Sequence, residues 1–288
     1  MTAVFERLKL GFGVLNRTGL APTLHMDTVG LVRVQPASRE EVRSDAIPLS
    51  TLIAEIGSLP QHAIVLGACE DGFHCYVDLS DPRPGSILIT GDPDSGKTRL
   101  MQSILASAVA INSHRQLRYT LLVKDLSKYG AFRKSPHCYQ VTLAASEQAR
   151  RVVTELADLA EQRQARHQPA PAILLAIDDL ATLYSNLEAD GMDDLNWLLH
   201  HGPSVQIWPI ATLSSVDLEY VDEPVMQGFG TRLIGKLASQ PLASYLSLHP
   251  QPIASRLAAG AQFSVLFDDE WITFWIPDIG SNPGEVLR

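Results

Sequence analysis

Residues 86–100 read Ser86-Ile-Leu-Ile-Thr90-Gly91-Asp92-Pro93-Asp94-Ser95-Gly96-Lys97-Thr98-Arg99-Leu100. Four apolar or β-branched residues lead into a glycine-bounded loop, and a helical pattern follows it. Within that stretch, GDPDSGKT satisfies G-x-x-x-x-G-K-[ST] at every fixed position. The order strand, loop, helix is what the chemistry needs. Successive backbone N–H groups of residues 91–98 wrap a phosphate, and the helix N-terminus adds its positive end. Gly91 and Gly96 permit a wrap that a Cβ would obstruct. Lys97 is expected to reach the β- and γ-phosphates of a nucleoside triphosphate, and Thr98 to hold Mg²⁺. Asp92 and Asp94 would repel phosphate unless their carboxylates turn outward.

A nucleotide site of this kind needs an acid at the end of a neighbouring apolar strand. Ala172-Ile-Leu-Leu-Ala-Ile177 followed by Asp178-Asp179 supplies it. Asp178 is assigned to Mg²⁺ through water, and Asp179 to orienting or deprotonating the attacking water. The simpler reading of the pair is a helix N-cap at a strand end.

Outward from these two motifs, strands and helices alternate, the pattern of a mainly parallel sheet with crossover helices. Strands are expected at 63–66, 73–77, 86–90, 119–123, 139–143 and 173–177. Others are expected within 205–212 and at 233–237, 263–267 and 271–275. Pro209 demotes its strand toward an edge position. Helices are expected at 99–111, from Ser146 to about His167, and at 193–200. The long one carries Val152, Leu156, Leu159 and Ala160 on one face and is stopped by Pro169 and Pro171. Residues 1–60 read as an N-terminal extension. It holds an amphipathic segment at the start, a strand near 29–34, a charged loop at 35–45 and a short helix at 47–56. Residues 61–288 read as one α/β nucleotide-binding domain.

The totals bound the function. The 288 residues carry a net charge of −9, which argues against indiscriminate nucleic-acid binding through surface charge. Arg115, Arg118, Lys124, Lys128, Arg133 and Lys134 nonetheless cluster around one strand and its following loop. They form either a solvated basic face or a DNA-facing loop. Three cysteines, Cys69, Cys75 and Cys138, lack zinc spacing and read as reduced thiols of a cytoplasmic protein. Glu6, Arg7 and Lys9 interrupt the N-terminus before a signal peptide could form. No stretch approaches the roughly 18 apolar residues of a membrane span. His200-His201 reads as a helix end, and Trp208, Trp271 and Trp275 as strand residues packed in the core or on a sheet face rather than stacked on bases.

With these features in order, the chain resembles the FtsK/HerA group of RecA-like motor ATPases over residues 60–280. The resemblance rests on Ile87-Leu88-Ile89 before the loop, Lys124-Asp125, Pro136-His137 and the charged helix Glu155 to Arg166. It continues through Ile210-Ala-Thr-Leu-Ser-Ser215, Thr231-Arg232-Leu233 and the closing hairpin from Gly260 to Trp275. It implies a RecA-like P-loop fold, ATP with Mg²⁺, and assembly into a ring, a hexamer, acting on DNA. Thr212 becomes the polar residue of the sensor strand. A protein partner would dock through residues 1–60. Three departures stand out. Asp179 replaces the family's Glu, Leu213 replaces its sensor Gln, and Ser244 falls where a trans-acting Arg is expected. Arg232 and Arg256 are the substitutes in reach. Two rivals follow: a nucleotide switch or assembly module with little turnover, and a secretion or conjugation coupling ATPase with protein cargo.

Overall fold

A computed structural model describes residues 31–34, 47–166, 171–250, 253–267 and 269–280. The expected amphipathic start, the 35–45 loop and the stop at Pro169 lie outside the described residues.

The described residues begin with strand β1 (Leu31–Val34) and helix α1 (Leu49–Ile56). The hairpin β2 (Ala63–Cys69) and β3 (His74–Asp78) follows, then β4 (Ser86–Gly91) and helix α2 (Lys97–Ile111). Next come β5 (Leu117–Val123), β6 (Cys138–Leu143), α3 (Glu147–Arg166) and β7 (Ala172–Asp178). Helices α4 (Leu180–Tyr184) and α5 (Ala189–His201) lead to β8 (Ile207–Ser214). Then come α6 (Glu223–Gln227), β9 (Phe229–Ile234), α7 (Gln240–Ser247), β10 (Gln262–Phe267) and β11 (Glu270–Trp275).

Among the described residues all strands join one eleven-stranded sheet in the order β1-β3-β2-β11-β10-β9-β4-β8-β7-β5-β6. From β9 to β6 every neighbouring pair is parallel. From β1 to the β10–β9 junction every pair is antiparallel. The parallel strands β4 and β8 are apolar almost throughout and buried along nearly their whole length, as strands covered on both faces must be. Successive residues feed two separate cores. Ile87 and Ile89 pack with α2, whereas Leu88 packs with α3, α5 and α7.

Helix α3 is held by its sequence as expected. Ser146 accepts a hydrogen bond from the Ala149 N–H at 3.2 Å, Glu147 opens the first turn, and Arg163 and Arg166 close the last. Val152, Leu156 and Ala160 are buried, and Leu159 packs against the same core.

Two expectations are overturned. Pro209 does not push its strand outward: β8 sits at the centre, between β4 and β7. Pairing with β4 begins at Ile210, one residue past the proline, while Pro209 pairs with Leu175 of β7. The missing N–H therefore falls where the β4 ladder has not started. The strand expected at 233–237 lies earlier, at Phe229–Ile234. Gly230 and Arg232 mask its apolar character, yet Arg232 is only 7% exposed. Its guanidinium donates to the carbonyls of Leu246 and Met226.

Candidate nucleotide site

The parallel strands β4, β5, β7 and β8 end at one edge of the sheet, and the P-loop, residues 91–98, lies there. Gly96 is its hinge. It adopts φ +97°, and an added Cβ would stand 2.9 Å from the Gly260 Cα. Only glycine supplies that turn while the Gly260 backbone presses against it. The loop is therefore a tight cradle. From it α2 runs out, with the N–H groups of its first turn pointing back.

Lys97 is half-buried. Its ammonium donates to the Asp92 carbonyl at 2.7 Å and to the Gly91 carbonyl at 3.1 Å. Burial lowers its pKa, opposed by the carboxylates of Asp178, Asp92, Asp217 and Asp94. The worry about Asp92 is resolved by geometry. Its Oδ1 accepts from Ser215 Oγ at 2.6 Å and its Oδ2 from the Ala238 N–H at 2.8 Å. The carboxylate thus ties the loop to the segments after β8 and β9 rather than facing a phosphate.

Asp178, at the end of β7, lies behind the loop. Thr98 Oγ1 donates to its Oδ2 at 3.0 Å, Thr212 Oγ1 to its Oδ1 at 2.6 Å, and the Tyr129 hydroxyl to its Oδ2 at 2.7 Å. Three of the five residues singled out as catalytic or metal-binding, Thr98, Thr212 and Asp178, thus meet at one carboxylate. This oxygen set suits Mg²⁺. Thr98 gives its proton to Asp178 and keeps its lone pairs, and Asp178 retains acceptor capacity on Oδ1 for a metal-bound water. Among the described residues no cluster of three or more His, Cys, Asp or Glu exists that could hold a metal by itself. A Mg²⁺ held by one hydroxyl, one carboxylate and the nucleotide's own phosphates does not need such a cluster.

Asp179 sits one residue on, facing an open cleft of about 450 Å³ lined also by Lys124, Thr182, Asn186 and Asp217. Its Oδ1 accepts from the Thr182 N–H at 2.8 Å, capping α4, and its Oδ2 lies 3.3 Å from Lys124 Nζ. The N-cap reading is realised at Asp179, whose side chain also lines this cleft.

The three departures have definite places. Leu213 is fully buried in the core that also holds Leu180, Leu195 and Leu198, so its side chain packs among apolar residues. Ser244 lies on α7, half-buried. Arg232 is occupied by carbonyls of its own chain, and Arg256 is exposed on the turn Ala254–Arg256. Of the basic cluster, Arg115, Lys124, Lys128, Arg133 and Lys134 are exposed. Trp208 is buried.

Sequence reasoning missed Tyr129 and Ser215. A tyrosine or serine within a polar loop carries no signal of its partner, because the partner is 49 or 123 residues away along the chain.

The acid expected on a neighbouring strand stands two strands from β4, with β8 between, and a parallel sheet with a phosphate loop and an acid so placed at its C-terminal edge is the arrangement of a P-loop NTPase with a RecA-like sheet. The FtsK/SpoIIIE family model matches residues 50–170, from α1 through the P-loop to the end of α3. In fold and in this stretch the chain is similar to P-loop ATPases of the FtsK type. EssC ATPases 2 and 3 from Geobacillus thermodenitrificans superpose with a TM-score of 0.64 at 19% identity, covering 80% of this chain and 50% of that one. The cytoplasmic domain of the type VII secretion ATPase EccC from Thermomonospora curvata gives 0.61 at 16%, over 81% of this chain and 32% of that one. The pCW3 conjugation coupling protein TcpA, with ATPγS, gives 0.64 at 13%, over 93% of both chains. The chain spans half or less of the EssC and EccC structures. No curated protein matches it in sequence. Among the described residues no helix is long and apolar enough to cross a membrane.

Proposed function

We propose that the protein hydrolyses Mg²⁺-ATP and, assembled as a ring, uses the energy to move along double-stranded DNA. Residues 61–288 are the motor domain and 1–60 an extension that meets a partner. The observation that carries this reading is the junction of Thr98, Thr212 and Asp178 directly behind the P-loop. Gly91 to Thr98 would hold the phosphates. Thr98 and Asp178 would hold Mg²⁺, which neutralises charge on the β- and γ-phosphates. Lys97 would leave the loop carbonyls and lie against the same oxygens, stabilising charge as the γ-phosphoryl transfers. Asp179 would orient water in line with the bond that breaks. Water adds to the γ-phosphorus, the bridging oxygen leaves with ADP, and the water's protons pass to phosphate and solvent. The exposed bases Lys128, Arg133 and Lys134, on the loop between β5 and β6, fit a duplex backbone.

A second reading is favoured by two specific placements. Leu213 is sealed in the core, and Arg232 is buried with two of its guanidinium nitrogens bound to backbone carbonyls. With neither a polar sensor there nor that arginine free, the protein would bind ATP and turn over slowly, acting as a switch. Phosphate release from ATP, with and without double-stranded DNA, separates the two. DNA-stimulated release that is lost in Asp179→Asn supports the motor. ATP binding by calorimetry without release supports the switch.

A further inference from the structure

The loop between β5 and β6 has two opposite faces. Its outer face carries Lys128, Arg133 and Lys134, all exposed. Its inner face carries Tyr129 and Phe132, each 1% exposed, with ring centroids 5.9 Å apart. The loop is braced on both sides. Tyr119 of β5 donates its hydroxyl to the Phe132 carbonyl at 2.9 Å, and Gln102 of α2 donates to the Lys128 carbonyl at 2.8 Å. Asp125 starts its first turn by accepting from the Ser127 N–H and hydroxyl. A loop so anchored moves as a piece, because its buried aromatics cannot shift separately from the backbone that carries the bases.

The inner tip of that piece is the Tyr129 hydroxyl, which ends on Asp178 Oδ2 at 2.7 Å. Thr98 shares the same oxygen. A buried tyrosine needs a partner for its O–H, and here the partner is the acid assigned to Mg²⁺. The bond stabilises the carboxylate and fixes its plane, so that Oδ1 keeps its free acceptor direction.

We infer that Tyr129 is a positioning residue that sets Asp178 for Mg²⁺ and transmits to it the occupancy of the basic face of the β5–β6 loop by a polyanion. This rests on the reading of Thr98 and Asp178 as the Mg²⁺ site. Binding of a phosphate backbone to Lys128, Arg133 and Lys134 presses on a rigid element whose far end holds the metal acid. The coupling needs no contact between polyanion and nucleotide. It operates within one subunit.

The test uses the full chain and two variants. Tyr129→Phe keeps the ring and its packing and removes only the hydroxyl. Lys128→Gln/Arg133→Gln/Lys134→Gln removes the outer charge and leaves Tyr129 in place. The first measurement is ATP binding by calorimetry as a function of Mg²⁺, which does not depend on turnover. Tyr129→Phe is expected to raise the Mg²⁺ midpoint roughly tenfold, the size typical of lost outer-shell partners. Its affinity for ATP in EDTA is expected to stay within about twofold of the wild type. The second measurement is the shift in that midpoint on adding double-stranded DNA. Wild type is expected to shift, and both variants to lose the shift, with the triple variant keeping the wild-type midpoint when DNA is absent. An unchanged midpoint in a Tyr129→Phe protein that melts like wild type overturns the inference and leaves the site reading intact. A wild-type protein whose ATP binding ignores Mg²⁺ overturns both. A DNA-induced shift that persists in Tyr129→Phe removes the transmitting role.

Discussion

The sheet has two halves that look alike in composition and differ in what they can do. The antiparallel half, β1-β3-β2-β11-β10, is as well buried as the parallel half, β9-β4-β8-β7-β5-β6. Yet the P-loop, Asp178, Asp179, Thr212 and Tyr129 all belong to the parallel half. Direction is the cause. In the parallel half every strand ends at the same edge, so loops distant in sequence converge there and one helix N-terminus faces them. In the antiparallel half alternate strands end at opposite edges, so turns are spread over both ends and no common floor forms. The antiparallel half instead extends the core: Phe263 and Phe274 stack at 6.4 Å and close the face beside α2.

That contrast can be broken most sharply at Lys97. Lys97→Ala is expected to lower hydrolysis by roughly 10²–10³-fold, the cost of losing one strong charge stabiliser, while the melting temperature barely moves. A variant with normal phosphate release would end the assignment of chemistry to the parallel edge. The converse change lies in the other half. Gly67 of β2 sits at a bulge beside β11, where an added Cβ would fall 2.0 Å from the Trp275 carbonyl oxygen. Gly67→Ala is expected to cost about 1–3 kcal/mol of stability by overpacking and to leave ATP affinity unchanged. Denaturant melts and calorimetry on one preparation check both parts. Loss of nucleotide binding in that variant would show that the halves are energetically inseparable.

The smallest effect is one both halves share. His74 in β3 and His137 before β6 are each held below the usual histidine pKa, chiefly by burial. Glu55 opposes that shift at His74, and a hydrogen bond to the Asn112 carbonyl opposes it at His137. A lowered pKa in the folded state means the unfolded chain takes up protons first as pH falls. Stability from these groups is therefore complete above about pH 6.5 and declines below it. Melting temperature is expected to fall from pH 7 to pH 5, with a shallower slope in His74→Gln/His137→Gln. An equal slope in that variant would assign the acid sensitivity to other groups.

Much of the parallel half was legible as sequence. The glycines and Lys97 of the loop, the apolar run closed by Asp178-Asp179 and the stripe of α3 are local signals, because each arises within one turn or one strand. The sheet order was not. Pro209 argued for an edge, and only the register showed that the β4 ladder starts one residue later. Arg232 broke the apolar pattern of β9, and only the fold brought the Leu246 and Met226 carbonyls to it. Leu213 stands where a sensor Gln is expected, and only the structure shows that its side chain is buried in the core.

By itself, then, the sequence determined that a phosphate loop exists, which acid stands at the end of a strand, and that strands alternate with helices. These depend on neighbours along the chain. The tertiary structure alone decided that Tyr129, Thr98 and Thr212 share one carboxylate, that Ser215 binds the Asp92 carboxylate, and that Lys124 faces Asp179. Those contacts join residues 34 to 123 positions apart. A hydrogen bond at that separation is set by how strands are ordered in the sheet, which no local pattern encodes.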